Sequence, residues 1–103
     1  MKIKNFEQIQ AWQCAQEQAI FICKNFNELR DFSFRDQIQR AAVSISNNIA
    51  EGFDRQTDTE FIRDLVIARG SNSEVKSMFY LTLKLNYISQ ATCEEGMQIS
   101  DTT

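Results

Sequence analysis

The scarcity of chain-breaking residues constrains the fold of this sequence more than any other feature. Its 103 residues include no proline and three glycines, Gly52, Gly70 and Gly96. A β-rich fold of this length needs many tight turns, and tight turns depend on glycine and proline. The sequence is therefore predicted to be all-α.

Apolar residues recur at steps of three and four along most of the chain, which is the spacing of amphipathic helices. We predict a single helical-bundle domain over residues 1–103. The predicted helices span about residues 6–26, 34–52, 58–87 and 90–99. The last segment is weakly apolar and contains Gly96, so we expect a short or frayed fourth helix.

Local signals place the helix ends. Ser33 is the predicted N-cap of the second helix, and Gly52 its C-terminal stop. Thr57 and Glu60 have the spacing of a capping box at the start of the third helix. Gly70 interrupts the apolar pattern of the third helix, and we predict one long helix with a kink near this residue; an interior glycine is tolerable there if another helix crosses closely.

The charge distribution argues against a broad nucleic-acid surface. The net charge is −3, and residues 1–88 are neutral, so the excess comes from Glu94, Glu95 and Asp101. Binding to phosphates requires clustered Lys and Arg. Residues 1–5 lack the apolar run of a signal peptide and no segment approaches about 20 apolar residues, so we expect a cytoplasmic protein without membrane partners.

The residue types offer little for catalysis. The chain has no histidine, which removes the commonest general base and a common zinc ligand. Cys14, Cys23 and Cys93 form no CxxC pair, and no glycine-rich phosphate loop is present. We expect no enzyme activity, no catalytic residue, no metal, no cofactor and no small-molecule substrate.

A polar stripe runs along the predicted second helix at steps of three and four. It comprises Gln37, Arg40, Ser44, Asn48 and Glu51. The third helix offers Arg69, Ser71 and Glu74. In an antiparallel hairpin Arg40 would lie opposite Ser71, and we predict that it pairs with Glu74. The set is interpreted as a partly buried network that fixes the register of helices or subunits; the alternative is a groove that contacts a ligand or RNA.

The long helices carry more apolar surface than a small monomer can bury. The first and third helices each have two apolar faces, and the chain holds eleven aromatic residues by its counts of Phe, Tyr and Trp. At helical spacing such residues are usually core and interface anchors. A spare apolar face predicts assembly with further copies of the same chain.

Two runs, Asn48-Ile49-Ala50-Glu51-Gly52 and Ala68-Arg69-Gly70-Ser71, resemble the four helix bundle protein family. Its founding members are encoded by intervening sequences within bacterial 23S ribosomal RNA genes, and their molecular role is unsettled. The resemblance covers about residues 6–90 and implies an antiparallel up-down four-helix bundle that assembles as a homopentamer. The chain departs from the family pattern at Gln39, where arginine is usual, and at Ser46, where proline is usual.

The sequence is also similar to accessory proteins of diversity-generating retroelements. That resemblance implies an alternative function, a pentamer that binds a reverse transcriptase together with RNA or DNA. The candidate nucleic-acid contacts are Arg35, Arg55 and Arg63. Nucleic-acid binding that weakens steeply with salt would distinguish this alternative from simple self-association.

Overall fold

A computed structural model describes residues 3–55 and 57–102, and within these ranges the chain is all-α, as the sequence predicts. The helices are α1 (Gln10–Phe26), α2 (Phe32–Asp54), α3 (Asp58–Leu85) and α4 (Gln90–Thr102), preceded by a 3-10 turn at Phe6–Gln8. Each helix packs against its neighbours in sequence, and α4 closes against α1. The arrangement is an up-down four-helix bundle with a short fourth helix.

The observed helix ends differ from the prediction at both ends of α2. The side chain of Asp31, not that of Ser33, accepts the hydrogen bond from the Phe34 amide, at 3.1 Å. A carboxylate also interacts favourably with the positive end of the helix, which a serine hydroxyl does not. At the other end α2 continues past Gly52 to Asp54, so the predicted stop at this glycine is wrong.

The predicted cap of α3 is confirmed, because Thr57 Oγ1 accepts from the Glu60 amide at 3.2 Å. The helix then runs unbroken to Leu85, and Asn86 ends it with a left-handed backbone at φ 58°. No close crossing accounts for the glycine at position 70, because a Cβ atom there would meet nothing within 4 Å. Close helix approaches lie instead at Gly52 and Gly96.

The core lies on the axis of the bundle, where all four helices meet. Its large fully buried apolar residues are Ile22, Phe26, Ile38, Ile45, Val75 and Phe79. The rings of Phe26 and Phe79 lie 6.3 Å apart between α1 and α3, and α4 adds the buried Cys93. No helix in the described ranges is both long and apolar enough to span a bilayer.

Candidate functional site

The polar stripe of α2 faces an open groove. This α2 groove has a volume of about 620 Å³. Its lining from α2 includes Gln39, Arg40, Ser44, Asn47, Asn48 and Glu51, and α1 contributes Cys23. Four of the five residues of the stripe thus line this groove, and Gln37 is not part of the lining.

Small side chains join α2 to α3 at the half-buried part of this stripe. The hydroxyl oxygens of Ser44 and Ser71 lie 3.0 Å apart and share a hydrogen bond across the two helices. The side-chain amide nitrogen of Asn48 donates to the Ser44 hydroxyl at 3.0 Å and to the Ser44 backbone carbonyl at 2.7 Å. The hydrogen bonds thus continue from α3 into the next turn of α2.

At the exposed end of the stripe, a glutamine of α2 connects this helix to α3. Gln37 donates from its amide to the Glu74 carboxylate, and Arg40 donates to the Gln37 amide oxygen at 3.5 Å. No ion pair joins Arg40 and Glu74, so the predicted direct pairing is wrong. The reason is register, because Glu74 lies opposite Gln37, about one helical turn before Arg40.

Two predicted members lie apart from these hydrogen bonds. Glu51 lines the far end of the α2 groove. Arg69 lies on the opposite flank of α3 from Ser71 and lines a separate cleft beside Asn72. In the described ranges neither Glu51 nor Arg69 makes a hydrogen bond or an ion pair with the other residues of the stripe.

The candidate nucleic-acid contacts do not form one basic patch. Arg35 pairs with Asp36 at 3.1 Å, and its guanidinium lies 4.8 Å from the centre of the Phe32 ring. Arg35 and Arg55 are separated by 20 residues along α2 and its C-terminal cap, which corresponds to about 30 Å. Arg63 lies exposed on α3.

Arg55 is engaged by two carboxylates rather than open to a ligand. Its guanidinium donates to Asp64 at 2.5 Å and lies 3.9 Å from Glu60. The hydrogen bond and charge of Asp64 raise the pKa of Arg55, with smaller contributions from Glu60 and Glu51. Sequence reasoning did not find this ion pair, because it depends on how the end of α2 meets the start of α3.

A second polar cluster that sequence reasoning missed is buried inside the bundle. Gln18 is fully buried and donates to Asn72 Oδ1 at 3.1 Å and to the Ser100 hydroxyl. Asn72 in turn donates to the Ser100 carbonyl at 3.1 Å. The sequence did contain a signal for its burial, because Gln18 lies three residues after Ala15 and four before Ile22, on the same side of α1 as these two buried residues.

The outward side of α3 is largely apolar. We call this surface the α3 outer face; its large exposed residues are Ile62, Leu65, Val66, Ile67, Tyr80, Leu81, Leu83 and Leu85. These are eight of the twelve large apolar residues that are exposed in the described ranges. Ile62 and Val66 lie near the start of α3 and Tyr80 near its end, on the side of the helix opposite the buried Val75 and Phe79, with exposed polar residues of α3 between the two groups. The surplus apolar surface predicted from the sequence is thus concentrated on one helix.

The fold and these surfaces define a small helical-bundle protein with a polar groove on α2 and an apolar outer face on α3. The sequence profile of the 23S rRNA-intervening sequence protein family matches residues 7–103, so the chain belongs to that family. No curated protein matches the sequence.

A solved structure shows the same fold. It is a crystal structure of a protein of unknown function from the S23 ribosomal protein family of Bacteroides thetaiotaomicron VPI-5482. The two chains are 28% identical, with a TM-score of 0.83, over 89% of each chain.

Proposed function

We propose that this member of the 23S rRNA-intervening sequence family is a non-enzymatic cytoplasmic protein that self-associates through the α3 outer face. The observation that carries the proposal is the concentration of exposed apolar residues on that face. Ile62 is 60% exposed, Val66 55% and Tyr80 61%. Exposed apolar surface that is concentrated on one helix in this way typically marks an interaction site, because covering it removes apolar area from water.

The polar contacts between α2 and α3 support this role by fixing the position of α3. Hydrogen bonds through Ser44 and Gln37 bind its inner flank to α2, so its outer face is presented in one orientation. In this proposal the network sets helix register and takes no part in chemistry. The resemblance to the four helix bundle proteins favours a ring of five copies.

Mass measurement by light scattering or native mass spectrometry tests the assembly. The chain has a mass of 11.9 kDa, so a pentamer has a mass of about 60 kDa. A monomer at micromolar concentration would contradict self-association. Another closed oligomer would retain self-association and reject the pentamer.

Charged substitutions test which face carries the contact. Val66→Glu and Tyr80→Glu each place a carboxylate in one of the two apolar groups of the α3 outer face, and both are expected to dissociate the oligomer with the helical signal retained. Ile20→Glu is the matched control, because Ile20 is an equally exposed apolar residue, at 52%, on α1. Dissociation by Ile20→Glu alone would move the interface to α1.

The alternative, an accessory protein that binds nucleic acid and a reverse transcriptase, has less support. Arg35 and Arg55 both have carboxylate partners, so their charges are partly neutralised. Electrophoretic mobility shifts with RNA and DNA at low and high salt test it. Binding that weakens steeply with salt and is lost in Arg63→Gln would favour this alternative.

A further inference from the structure

A cleft separate from the α2 groove opens on the other flank of α3, next to the C-terminal end of α4. It has a volume of about 410 Å³, and all four helices contribute to its lining. The residues that matter for its chemistry are Ile45, Ile49, Ala68, Arg69, Asn72 and Lys76. Clefts of this size, apolar with a few converging polar groups, are typical of small-molecule sites.

The floor of the cleft is apolar and built from the bundle core. Ile45 and Ile49 of α2 and Ala68 of α3 are each at least 95% buried. Ala11 and Leu65 form the sides. The apolar surface that a ligand can reach lies on these sides, because Leu65 is exposed and Ala11 is half-buried, and a hydrocarbon group would pack there.

One side of the cleft carries a charge that has no partner. Lys76 pairs with Asp101 at 2.6 Å, so these two charges offset each other. Arg69 makes no ion pair and no hydrogen bond with the described residues. The cleft therefore carries one net positive charge, which a single carboxylate would neutralise.

A donor beside Arg69 is held in place from the interior. Asn72 Oδ1 accepts from the buried Gln18, and Asn72 Nδ2 donates to the Ser100 carbonyl, both at 3.1 Å. An amide nitrogen has two hydrogens, so one donor of Asn72 remains for a ligand. Asn72 is one turn along α3 from Arg69, and the two side chains lie on the same stripe of the helix.

We propose that this cleft binds an amphipathic monocarboxylate, with its carboxylate between Arg69 and Asn72 and its hydrocarbon chain against Ala11 and Leu65, above the buried floor. The cleft shares Leu65 with the α3 outer face, but its polar contacts, Arg69 and Asn72, are not among the residues of that face, and the proposal does not depend on self-association. Arg69 provides charge complementarity, and the apolar sides of the cleft provide the contact for the hydrocarbon chain.

The test is titration of the intact, isotopically labelled protein with decanoate and, separately, with decanol, followed by the shifts of backbone amide NMR signals. Both probes offer the same apolar chain, and decanoate alone has the charge. We expect saturable shifts at Ile49, Ala68 and Asn72, with decanoate binding about tenfold more tightly than decanol. Equal affinities, or no saturable shifts at these residues, would overturn the proposal.

Arg69→Gln tests whether Arg69 is the positive charge that binds the carboxylate of decanoate. It is expected to remove the advantage of decanoate and to leave decanol binding unchanged. Arg63→Gln is the matched control, because Arg63 is an exposed arginine of the same helix outside the cleft. Both variants keep the apolar floor, and circular dichroism verifies that they fold. An equal loss of decanoate affinity in the two variants would overturn the role of Arg69 and with it the proposed site.

Discussion

Gly52 of α2 lies directly against Asp64 of α3, so closely that a Cβ atom on Gly52 would be 2.8 Å from the Asp64 Cβ. The same added atom would be 3.0 Å from a ring carbon of Phe61. Both neighbours are held near the backbone of α3 and have little freedom to move aside. Glycine at this position therefore permits the close contact between the end of α2 and the start of α3.

Gly52→Ala is expected to reduce the free energy of unfolding by about 1–3 kcal/mol, because the added methyl group forces the two helices apart. Gly70→Ala is the matched control. Its Cβ would meet nothing within 4 Å, and alanine stabilises a helix interior by up to about 1 kcal/mol relative to glycine. Urea denaturation of both variants measures the difference. Equal stability of the two variants would contradict the close-contact explanation.

The glycines show how much of the fold can be predicted from the sequence. Helical spacing and the absence of proline were enough for an all-α bundle of four helices, because these signals depend on one chain segment at a time. Gly52 has the sequence context of a helix stop, yet it lies inside α2, where the distance to α3 decides its role. Sequence context does not contain that distance.

The polar stripe shows the same limit at the candidate site. The spacing of Gln37, Arg40 and Ser44 correctly indicates one side of a helix, since helical periodicity is local. The partner of each residue on the facing helix depends on the register of the two helices. The predicted contact was wrong by one turn, because it paired Glu74 with Arg40, whereas the observed partner of Glu74 is Gln37. Register is set by the packing of side chains between helices, and the local spacing of residues in one sequence does not show which side chains will meet.

The carboxylate of Asp64 provides a second prediction. It is nearly buried and accepts a hydrogen bond from Arg55 at 2.5 Å, which connects the end of α2 to α3. Asp64→Ala is expected to reduce the free energy of unfolding by roughly 1–3 kcal/mol, since it removes a charge-assisted hydrogen bond. The control is Asp54→Ala, at an exposed carboxylate at the negative end of α2, and it is expected to be neutral or slightly stabilising because it removes an unfavourable charge. Thermal and urea unfolding measure both; a destabilised Asp54→Ala beside a neutral Asp64→Ala would reverse the assignment.

Ser100 attaches the end of α4 to the interior of the bundle. Its hydroxyl accepts from the fully buried Gln18, and its carbonyl accepts from Asn72. Ser100→Ala leaves a buried N–H of Gln18 without its acceptor, which costs roughly 1–3 kcal/mol. Ser73→Ala on α3 is the matched control, because Ser73 is exposed and the gain in helix propensity is the same.

Hydrogen exchange locates the effect of Ser100→Ala. We expect faster exchange of α4 amides than in the control variant, because α4 is the short helix and opens before the rest of the bundle. Unchanged α4 exchange in Ser100→Ala would show that the buried polar cluster does not hold this helix.

Acid stability tests the contact between Asp31 and Tyr87. The Tyr87 hydroxyl donates to Asp31 Oδ2 at 2.6 Å, and the ring of Tyr87 packs edge-on against Phe34 at 5.2 Å. This hydrogen bond, followed by the one from the Phe34 amide, lowers the pKa of Asp31. The folded state therefore favours the ionised carboxylate. Its stabilising effect is complete above the unfolded pKa of about 3.9 and is lost as pH falls through the lower folded value.

Tyr87→Phe removes the larger cause of that shift and keeps the aromatic contact with Phe34. Its acid unfolding, followed by far-UV circular dichroism, is expected to have a midpoint at higher pH than that of the parent protein. Tyr80→Phe is the control, because Tyr80 is 61% exposed and makes no hydrogen bond in the described ranges. The Asp31 contact also raises the pKa of Tyr87, so its stabilising effect is present below the unfolded pKa of tyrosine and is lost as pH rises through the folded value. Coincident acid midpoints for the parent and Tyr87→Phe would show that this hydrogen bond does not contribute to stability at low pH.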